Sequence, residues 1–96
     1  MPVYMIVEIE EVTDKDGYGR YIREVPKIIA KFGGRYLARG EKVEAVCGEW
    51  RSRRLIIVEF ASRDKFDAWW NSPEYRAIAP LRENSTRSRA IVVEGI

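Results

Sequence analysis

Histidine is absent from this 96-residue sequence, and cysteine occurs only once. Histidine is the usual general base near neutral pH and the commonest nitrogen ligand of protein-bound metals and haem iron. Its absence excludes Ser-His-Asp and Cys-His catalytic arrangements and histidine-ligated zinc or haem. Any chemistry must therefore depend on Glu, Asp, Tyr, Arg, Lys or the lone Cys47.

Other absences bear on location and partners. The single cysteine cannot form an internal disulfide, and no charged segment followed by a long apolar run opens the chain, so we expect a cytoplasmic location. No apolar stretch of about 18 residues is present, so we expect no membrane association. The carboxylates show no metal-loop spacing, and we expect neither a metal nor a cofactor. A net charge of +2 with 33% charged residues does not indicate a nucleic-acid surface.

The hydrophobic patterns predict the element order β-α-β-β-β-α-β. Strands are predicted at residues 3–10, 35–39, 43–47, 54–60 and 88–94, with the third a short hairpin strand. A first helix follows a cap at Thr13 and a second follows Ser62, restarting at Ser72 with a proline in its first turn. The order is typical of a single α+β domain over residues 1–96. We predict a ferredoxin-like βαββαβ fold with an extra hairpin strand and an antiparallel sheet covered by helices on one face.

Alternation along the strands divides the sheet into two faces. The set predicted to face the helices is almost wholly apolar: Val3, Met5, Val7, Ile9, Tyr36, Ala38, Ile56, Val58, Phe60, Ile91 and Val93. The opposite set is Tyr4, Ile6, Glu8, Glu10, Arg35, Leu37, Arg39, Leu55, Ile57, Glu59, Ala90, Val92 and Glu94. A face bare to water would be polar throughout, and this one is not. We therefore predict that a second copy covers it, in a two-fold dimer with a barrel-like core.

The predicted second face places Arg35 and Arg39 beside glutamates. In one interpretation the arginines simply pair with those glutamates, within the subunit or across the dimer. In the other, Arg39 is a fork-shaped donor for a carboxylate or another anion. Glu59, lying among aliphatic side chains, is then the candidate catalytic residue and acts as a proton shuttle. The sequence leaves both interpretations open.

Aromatic and basic clusters also have two interpretations each. Trp69, Trp70 and Tyr75 are spaced either for an aromatic pocket or for the buried stripe of a helix. The arginines at residues 51–54 and 82–89 are typical of a solvated face. An RNA-recognition strand is excluded because Leu55 and Ile57 stand where base-stacking rings are required. We expect no nucleic-acid partner.

Several runs together resemble one family. They are VPKIIAKFGGRYLARG at 25–40, RLIIVEFAS at 54–62, AWWNSPEY at 68–75 and VVEG at 92–95. They are similar to the domain-of-unknown-function 1330 family, a group of small bacterial cytoplasmic proteins without an established reaction. The resemblance implies a homodimeric α+β barrel with a site between helices and sheet. It carries over the positions Tyr21, Tyr36, Arg39, Glu59, Trp69, Tyr75 and Arg82.

The family that the sequence resembles belongs to the dimeric α+β barrel superfamily. Other members of that superfamily include cofactor-independent monooxygenases, haem-degrading enzymes, chlorite dismutases and muconolactone isomerases. The expected function is accordingly a homodimer with a pocket for a small anionic or aromatic acid. The ligand-binding candidates are Tyr21, Arg39, Trp69, Tyr75 and Arg82. Three functions stay open: a cofactor-independent enzyme of monooxygenase or isomerase type, a ligand-binding or sensing dimer without turnover, and a structural interaction dimer.

Overall fold

The sheet has four strands and carries three helices. In the computed structural model, which describes residues 1–96, the order is β1 (Val3–Val12), α1 (Lys15–Lys31), β2 (Arg35–Gly40), β3 (Leu55–Phe60), α2 (Arg63–Trp70), α3 (Pro73–Glu83) and β4 (Thr86–Glu94). All pairings are antiparallel, in the strand order β2-β3-β1-β4. The predicted ferredoxin-like α+β fold is confirmed. None of the helices combines the length and the apolar character needed to cross a bilayer.

The predicted extra hairpin strand at residues 43–47 is wrong. Residues 41–54 contain no strand, and every residue from 44 to 51 is exposed. Strand propensity reflects packing on a half-buried pleated surface. Val46, with 93% of its surface exposed, has no such surface to pack on.

The helices begin close to where the sequence places them. The α1 cap is Asp14 rather than the predicted Thr13, and its Oδ1 accepts hydrogen bonds from the backbone N–H groups of Asp16 and Gly17 at 3.1 and 3.2 Å. The predicted caps Ser62 and Ser72 are confirmed, each accepting from the backbone N–H three residues later. These caps satisfy N–H groups that have no partner inside the helix.

A β-bulge reverses the alternation of β2. Arg35 pairs with Glu59, but the register shifts after Tyr36, so that Ala38 pairs with Ile57 and Arg39 with Ile56. Leu37 is the extra, unpaired residue. Because directly paired residues point to the same side of a sheet, Arg35 lies on the open face while Arg39 lies on the helix-covered face. The prediction that both arginines share one face is therefore wrong.

The faces of β4 are also the reverse of the prediction. Val92 pairs with Met5 of the core, and Ile91 and Val93 pair with Ile6 and Tyr4 of the open face. Both parities of β4 are apolar, so alternation alone does not decide which side faces the helices. The pairing register with β1 decides it.

The open face remains apolar despite these exchanges. One row of directly paired residues crosses the whole sheet there and consists of Ala38, Ile57, Ile6 and Ile91. Ile91 is 63% exposed. The apolar second face expected from the sequence is present, with Ile91 and Val93 where the prediction had Val92.

A buried carboxylate lies at one end of the open face. Glu8 is 5% exposed, and its Oε2 accepts a hydrogen bond from Trp50 Nε1 at 2.8 Å. Its Oε1 accepts from Arg89 Nε at 2.7 Å. The bonds from Trp50 and Arg89 lower the pKa of Glu8 from its ordinary value of 4.5, against the opposing effect of burial. Trp50 thereby ties the 41–54 loop to the sheet.

This carboxylate predicts a specific loss of stability in acid. A group whose pKa is lower in the folded chain contributes stability above its unfolded pKa, and that contribution disappears as pH falls through the folded value. We expect Glu8→Gln to flatten the pH dependence of the unfolding free energy between about pH 3 and pH 5. Urea titrations at fixed protein concentration measure this. Glu24→Gln, at an exposed helix position, is the control, and equal slopes in the wild type and Glu8→Gln would contradict the assignment.

Gly34 predicts a second, steric effect on stability. A Cβ atom there would lie 2.7 Å from Ile29 Cγ2 and 2.7 Å from Phe60 Cε1, both in the core. Gly34→Ala should therefore destabilise the fold by about 1–3 kcal/mol, the usual range for overpacking. Gly40→Ala, at the other end of β2, meets nothing within 4 Å and serves as the matched control. Denaturant midpoints that fall equally in the two variants would refute this packing argument.

Candidate functional site

A cavity lies between α1 and the helix-covered face of the sheet. Eleven of its 14 lining residues are hydrophobic, and the other three are Arg39, Arg54 and Arg82. About 40 Å³ is open to the centre of a water molecule, which is room for roughly three waters. An apolar cavity with a few polar groups is the usual form of a small-molecule site.

The strand register gathers two of the arginines at one end of this cavity. Arg39 pairs with Ile56, which in turn pairs with Val7. Arg54 lies one row further along, where its carbonyl accepts a 3.0 Å hydrogen bond from the N–H of Ile9. The bulge in β2 is what turns Arg39 toward this row.

Arg82 reaches the same end from α3. Its Nη1 donates to Ser88 Oγ at 3.1 Å, and Ser88 pairs with Ile9 across β1 and β4. Arg39 from β2, Arg54 from the 41–54 loop and Arg82 from α3 therefore all line the part of the cavity nearest the end of β1.

The opposite end of the cavity is apolar. Because α1 follows β1 after a short turn, it runs back over the sheet and carries Val25 and Ile29 away from the arginines. The Gly34 Cβ position touches both Ile29 and Phe60, which places Ile29 near the far end. Val58 closes that part of the sheet surface and is fully buried. The cavity is thus cationic at one end and aliphatic at the other.

The positive charge in the cavity has little compensation. None of the lining residues carries a carboxylate. Arg54 Nη1 lies 3.8 Å from Glu41 Oε1, whose side chain is 78% exposed. Arg39 makes no ion pair and instead packs over the Tyr36 ring, with its guanidinium carbon 4.8 Å from the ring centroid. The cavity end is therefore complementary to an anion.

A cluster of phenols forms the wall beside the arginines. The hydroxyls of Tyr21 and Tyr75 are hydrogen-bonded at 3.0 Å, and the rings of Tyr18 and Tyr21 stack with centroids 6.3 Å apart. Burial raises the pKa of Tyr21, and the neighbouring Tyr75 raises it further. Tyr21 therefore stays protonated near neutral pH and acts as a hydrogen-bond donor or acceptor rather than as a base.

Two further pKa directions tie the cluster to the arginines. Burial raises the pKa of Tyr36, Arg39 acts in the opposite direction, and Tyr18 adds a small increase. Burial alone would lower the pKa of Arg82, but the phenols of Tyr75 and Tyr21 outweigh it and the net shift is upward. Arg82 accordingly remains charged.

Two donors in the cavity wall have no partner in the protein. The Tyr18 hydroxyl is buried without a hydrogen bond, and so is Arg54 Nε. Both residues line the cavity. Native proteins rarely leave buried polar atoms unpaired, so such atoms require an explanation.

A second, wider cleft adjoins the cavity. It measures about 190 Å³ and shares Met5, Val7, Tyr21 and Arg82 with the first. Its own walls add Trp70, Tyr75 and Arg89. Tyr21 and Arg82 therefore stand between the two spaces.

The sequence-predicted binding residues fall into three groups. Tyr21, Arg39 and Arg82 line the cavity. Tyr75 lies behind Tyr21 and lines the adjoining cleft. Trp69 is 1% exposed and packs on Tyr75 with ring centroids 4.1 Å apart, as a core residue that reaches neither space.

The structure does not bring Glu59 to the cavity. It lies on the open face, where its Oε1 accepts a hydrogen bond from Arg35 Nε at 2.7 Å. The thickness of the sheet separates it from Arg39, because the bulge puts the two residues on opposite sides. A proton shuttle between Glu59 and a ligand in the cavity has no path across the sheet.

Sequence reasoning missed Tyr18 and Arg54 as cavity residues. Arg54 was assigned to a solvated cluster, yet it has the same parity as Ile56 and Val58 on the helix-covered face. Tyr18 lies on the same helical stripe as Tyr21. Both signals are present in the sequence. No three His, Cys, Asp or Glu side chains come together as a metal site requires.

Solved structures with the same fold come from several bacteria. A protein of unknown function from Rhodopseudomonas palustris has a TM-score of 0.82 at 19% identity, covering 99% of this chain and 82% of that chain. A dimeric ferredoxin-like protein of unknown function from Thermobifida fusca has a TM-score of 0.67 at 16% identity, covering 97% and 90%. SnoaB, a cofactor-independent oxygenase from Streptomyces nogalater, has a TM-score of 0.71 at 12% identity, covering 99% and 93%. Likeness at these identities shows the fold alone.

Sequence comparison adds the family. No curated protein gives a significant match to this chain. The family model described as domain of unknown function DUF1330 matches residues 2–96. The resemblance seen in the four sequence runs is thereby confirmed, and the chain belongs to the DUF1330 family.

Proposed function

We propose that this protein binds a small organic anion in the arginine-lined cavity and works as a homodimer joined through the open faces of two sheets. One observation supports the binding site above all others. Arg39, Arg54 and Arg82 all line a mainly apolar cavity whose lining contains no carboxylate.

Removing a charged side chain from water costs free energy unless the charge is paired. A partly buried guanidinium group is stabilised by a counter-charge or by a full set of hydrogen bonds. The side chain of Arg54 is only 23% exposed, and its one carboxylate neighbour lies 3.8 Å away on an exposed loop. A carboxylate ligand supplies the missing charge and matches the fork of a guanidinium with two parallel hydrogen bonds.

The polarity of the cavity also orients the ligand. The carboxylate lies at the arginine end, and the apolar body of the ligand points along the sheet toward Val25 and Val58. The enclosed space is small, so an acid of a few carbon atoms fits within it. A larger or aromatic acid extends toward the adjoining cleft, past Tyr21 and Arg82.

Catalysis is the second candidate, favoured by the likeness to the oxygenase SnoaB. The cavity offers phenols and guanidinium groups, and burial raises the pKa of Tyr21 away from the range of a general base. A reaction of this type therefore depends on a substrate that ionises without a strong protein base. Binding without turnover is the better supported of the two, and oxygen consumption on adding a bound acid distinguishes them.

The proposed dimer interface is the open face of the sheet. Ile57, Ile6 and Ile91 form its central row, and Ile91 is largely exposed in the single chain. A row of isoleucines facing water is unfavourable, and burial against the same row of a second copy removes it from solvent. The Thermobifida fusca protein with the same fold is described as dimeric.

The two arginines of β2 provide a matched test of the binding site. We expect carboxylates from a panel of small aliphatic and aromatic acids to raise the melting temperature of the wild type. Arg39→Ala should weaken the binding of any such acid by about tenfold or more, because a charge-assisted bidentate contact is lost. Isothermal titration measures the change.

Arg35→Ala is the control for that experiment. Arg35 lies on the same strand but on the opposite face, paired with Glu59, so its loss should leave acid affinity unchanged. Equal effects of the two substitutions, or no response of the wild type to any acid, would reject the proposed site.

The dimer is tested by one substitution on the open face. Ile91→Lys places a charge on a side chain that is exposed in the single chain but buried in the proposed dimer. We expect the variant to fold and to sediment as a particle of about 11 kDa at micromolar concentration, while the wild type sediments at twice that mass. Ala30→Lys, on the exposed side of α1, should leave the mass of the dimer unchanged. A monomeric wild type would disprove the dimer.

A further inference from the structure

We infer that the ligand of this cavity is an oxygenated organic acid, carrying a hydroxyl or oxo oxygen in addition to its carboxylate, and that the Tyr18 hydroxyl recognises this second oxygen. The inference rests on the proposed anion site and makes its ligand class more specific. Tyr18 is thereby assigned as a specificity-determining residue, separate from the arginines that bind the carboxylate.

The first support is the state of the Tyr18 side chain. It is 8% exposed, it lines the cavity, and its hydroxyl finds no acceptor or donor among the protein atoms around it. The neighbouring Tyr21 differs in just this respect, because its hydroxyl is bonded to that of Tyr75 at 3.0 Å. Of two stacked phenols in one wall, one is satisfied within the protein and the other is not.

The second support is the position of Tyr18 in the cavity. It is in the first turns of α1, close to the end of β1, and so belongs to the arginine end. Arg39 packs over the Tyr36 ring at 4.8 Å from its centroid, and Tyr18 lines the same cavity as these two residues. A ligand whose carboxylate contacts the arginines therefore has its adjoining carbon atoms beside Tyr18.

Arg54 Nε adds a second unpartnered donor at the same end. The Tyr18 hydroxyl and Arg54 Nε add to the donors of Arg39 and Arg82. Together these groups offer more hydrogen-bond donors than a single carboxylate needs. In the free protein, water molecules can satisfy these donors, because the cavity has room for about three waters and its arginine end is polar. A ligand that displaces those waters must replace their hydrogen bonds or lose affinity.

This requirement discriminates between acids of similar size. A plain fatty acid that fills the cavity leaves the Tyr18 hydroxyl desolvated and unpaired, which is unfavourable. A hydroxy or oxo acid offers an acceptor at that point. Sites built to hydrogen-bond a ligand oxygen reject the analogue that lacks it, whereas apolar pockets discriminate weakly between such analogues.

The test compares butanoate with its 2-hydroxy, 3-hydroxy and 2-oxo derivatives, by isothermal titration on the wild type and on Tyr18→Phe. At least one oxygenated acid should bind the wild type about fivefold or more tightly than butanoate, the gain of one buried hydrogen bond. Tyr18→Phe should abolish this preference by weakening the oxygenated acid, while butanoate binds at least as well as before.

Two controls separate recognition from stability. Tyr18→Phe should keep the melting temperature of the free protein within about 1–2 °C, because the hydroxyl has no partner in the protein. Tyr4→Phe removes a phenol hydroxyl from the open face and should leave every affinity unchanged.

The outcomes distinguish this inference from the proposed function. If butanoate and its derivatives bind the wild type equally, or if Tyr18→Phe retains the preference, the role of Tyr18 is overturned while the anion site stands. If none of the four acids binds the wild type, the inference fails and no small aliphatic acid occupies the site. In that case an aromatic acid whose binding requires Arg39 would still support the proposed function.

Discussion

One extra residue in β2 determines on which side of the sheet Arg39 lies. The strand carries arginines four residues apart, and regular alternation places both on the open face. The bulge at Leu37 breaks that alternation, so Arg35 stays with Glu59 on the open face while Arg39 turns into the cavity beside Ile56. The candidate site depends on the side of the sheet to which Arg39 points. Arg54 has Glu41 as a carboxylate neighbour and Arg82 donates to Ser88, whereas Arg39 makes no ion pair. The bulge also separates two roles, since one arginine forms a structural ion pair and the other remains available.

The two faces of the sheet answer different physical requirements. The helix-covered face needs enough apolar area to hold three helices, and it meets that need with Val3, Phe60 and Val58, all fully buried. The cavity interrupts this packing between α1 and the sheet, and its arginines lie toward the end where β1 finishes. The open face is not fully covered by the chain itself, because Ile91 and Val93 stay exposed although Trp50 of the 41–54 loop bonds to Glu8 there. The proposed homodimer covers that face and leaves the cavity on the other side of the sheet untouched.

Much of the fold could be predicted from the sequence, and the errors have identifiable causes. Strands such as residues 54–60 and the serine caps are local signals, so they were found. The faces of β4 were not, because both of its parities are apolar and only pairing with Met5 and Ile6 decides between them. The bulge has no clear local signature either, since RYLAR alternates acceptably in both registers. The lining of the cavity was therefore predicted in part. The resemblance supplied Tyr21, Arg39 and Arg82. Strand alternation placed Arg39 on the wrong face, and Arg54 was not assigned to the helix-covered face.

The remaining polar atoms of the cavity argue that this region is kept for binding rather than for stability. A core designed only to be stable fills such a space with aliphatic side chains, and a phenylalanine at position 18 would complete the wall without an unpaired hydroxyl. Instead the chain holds an unpartnered phenol, an unpartnered guanidinium nitrogen and Arg39, which makes no ion pair, in the wall of a cavity whose other lining is mainly hydrophobic. Departures from good packing are expected where a protein contacts something other than itself. Tyr18, Arg39 and Arg54 line the cavity on the side of the sheet away from the proposed dimer, so the proposed binding site lies within each subunit.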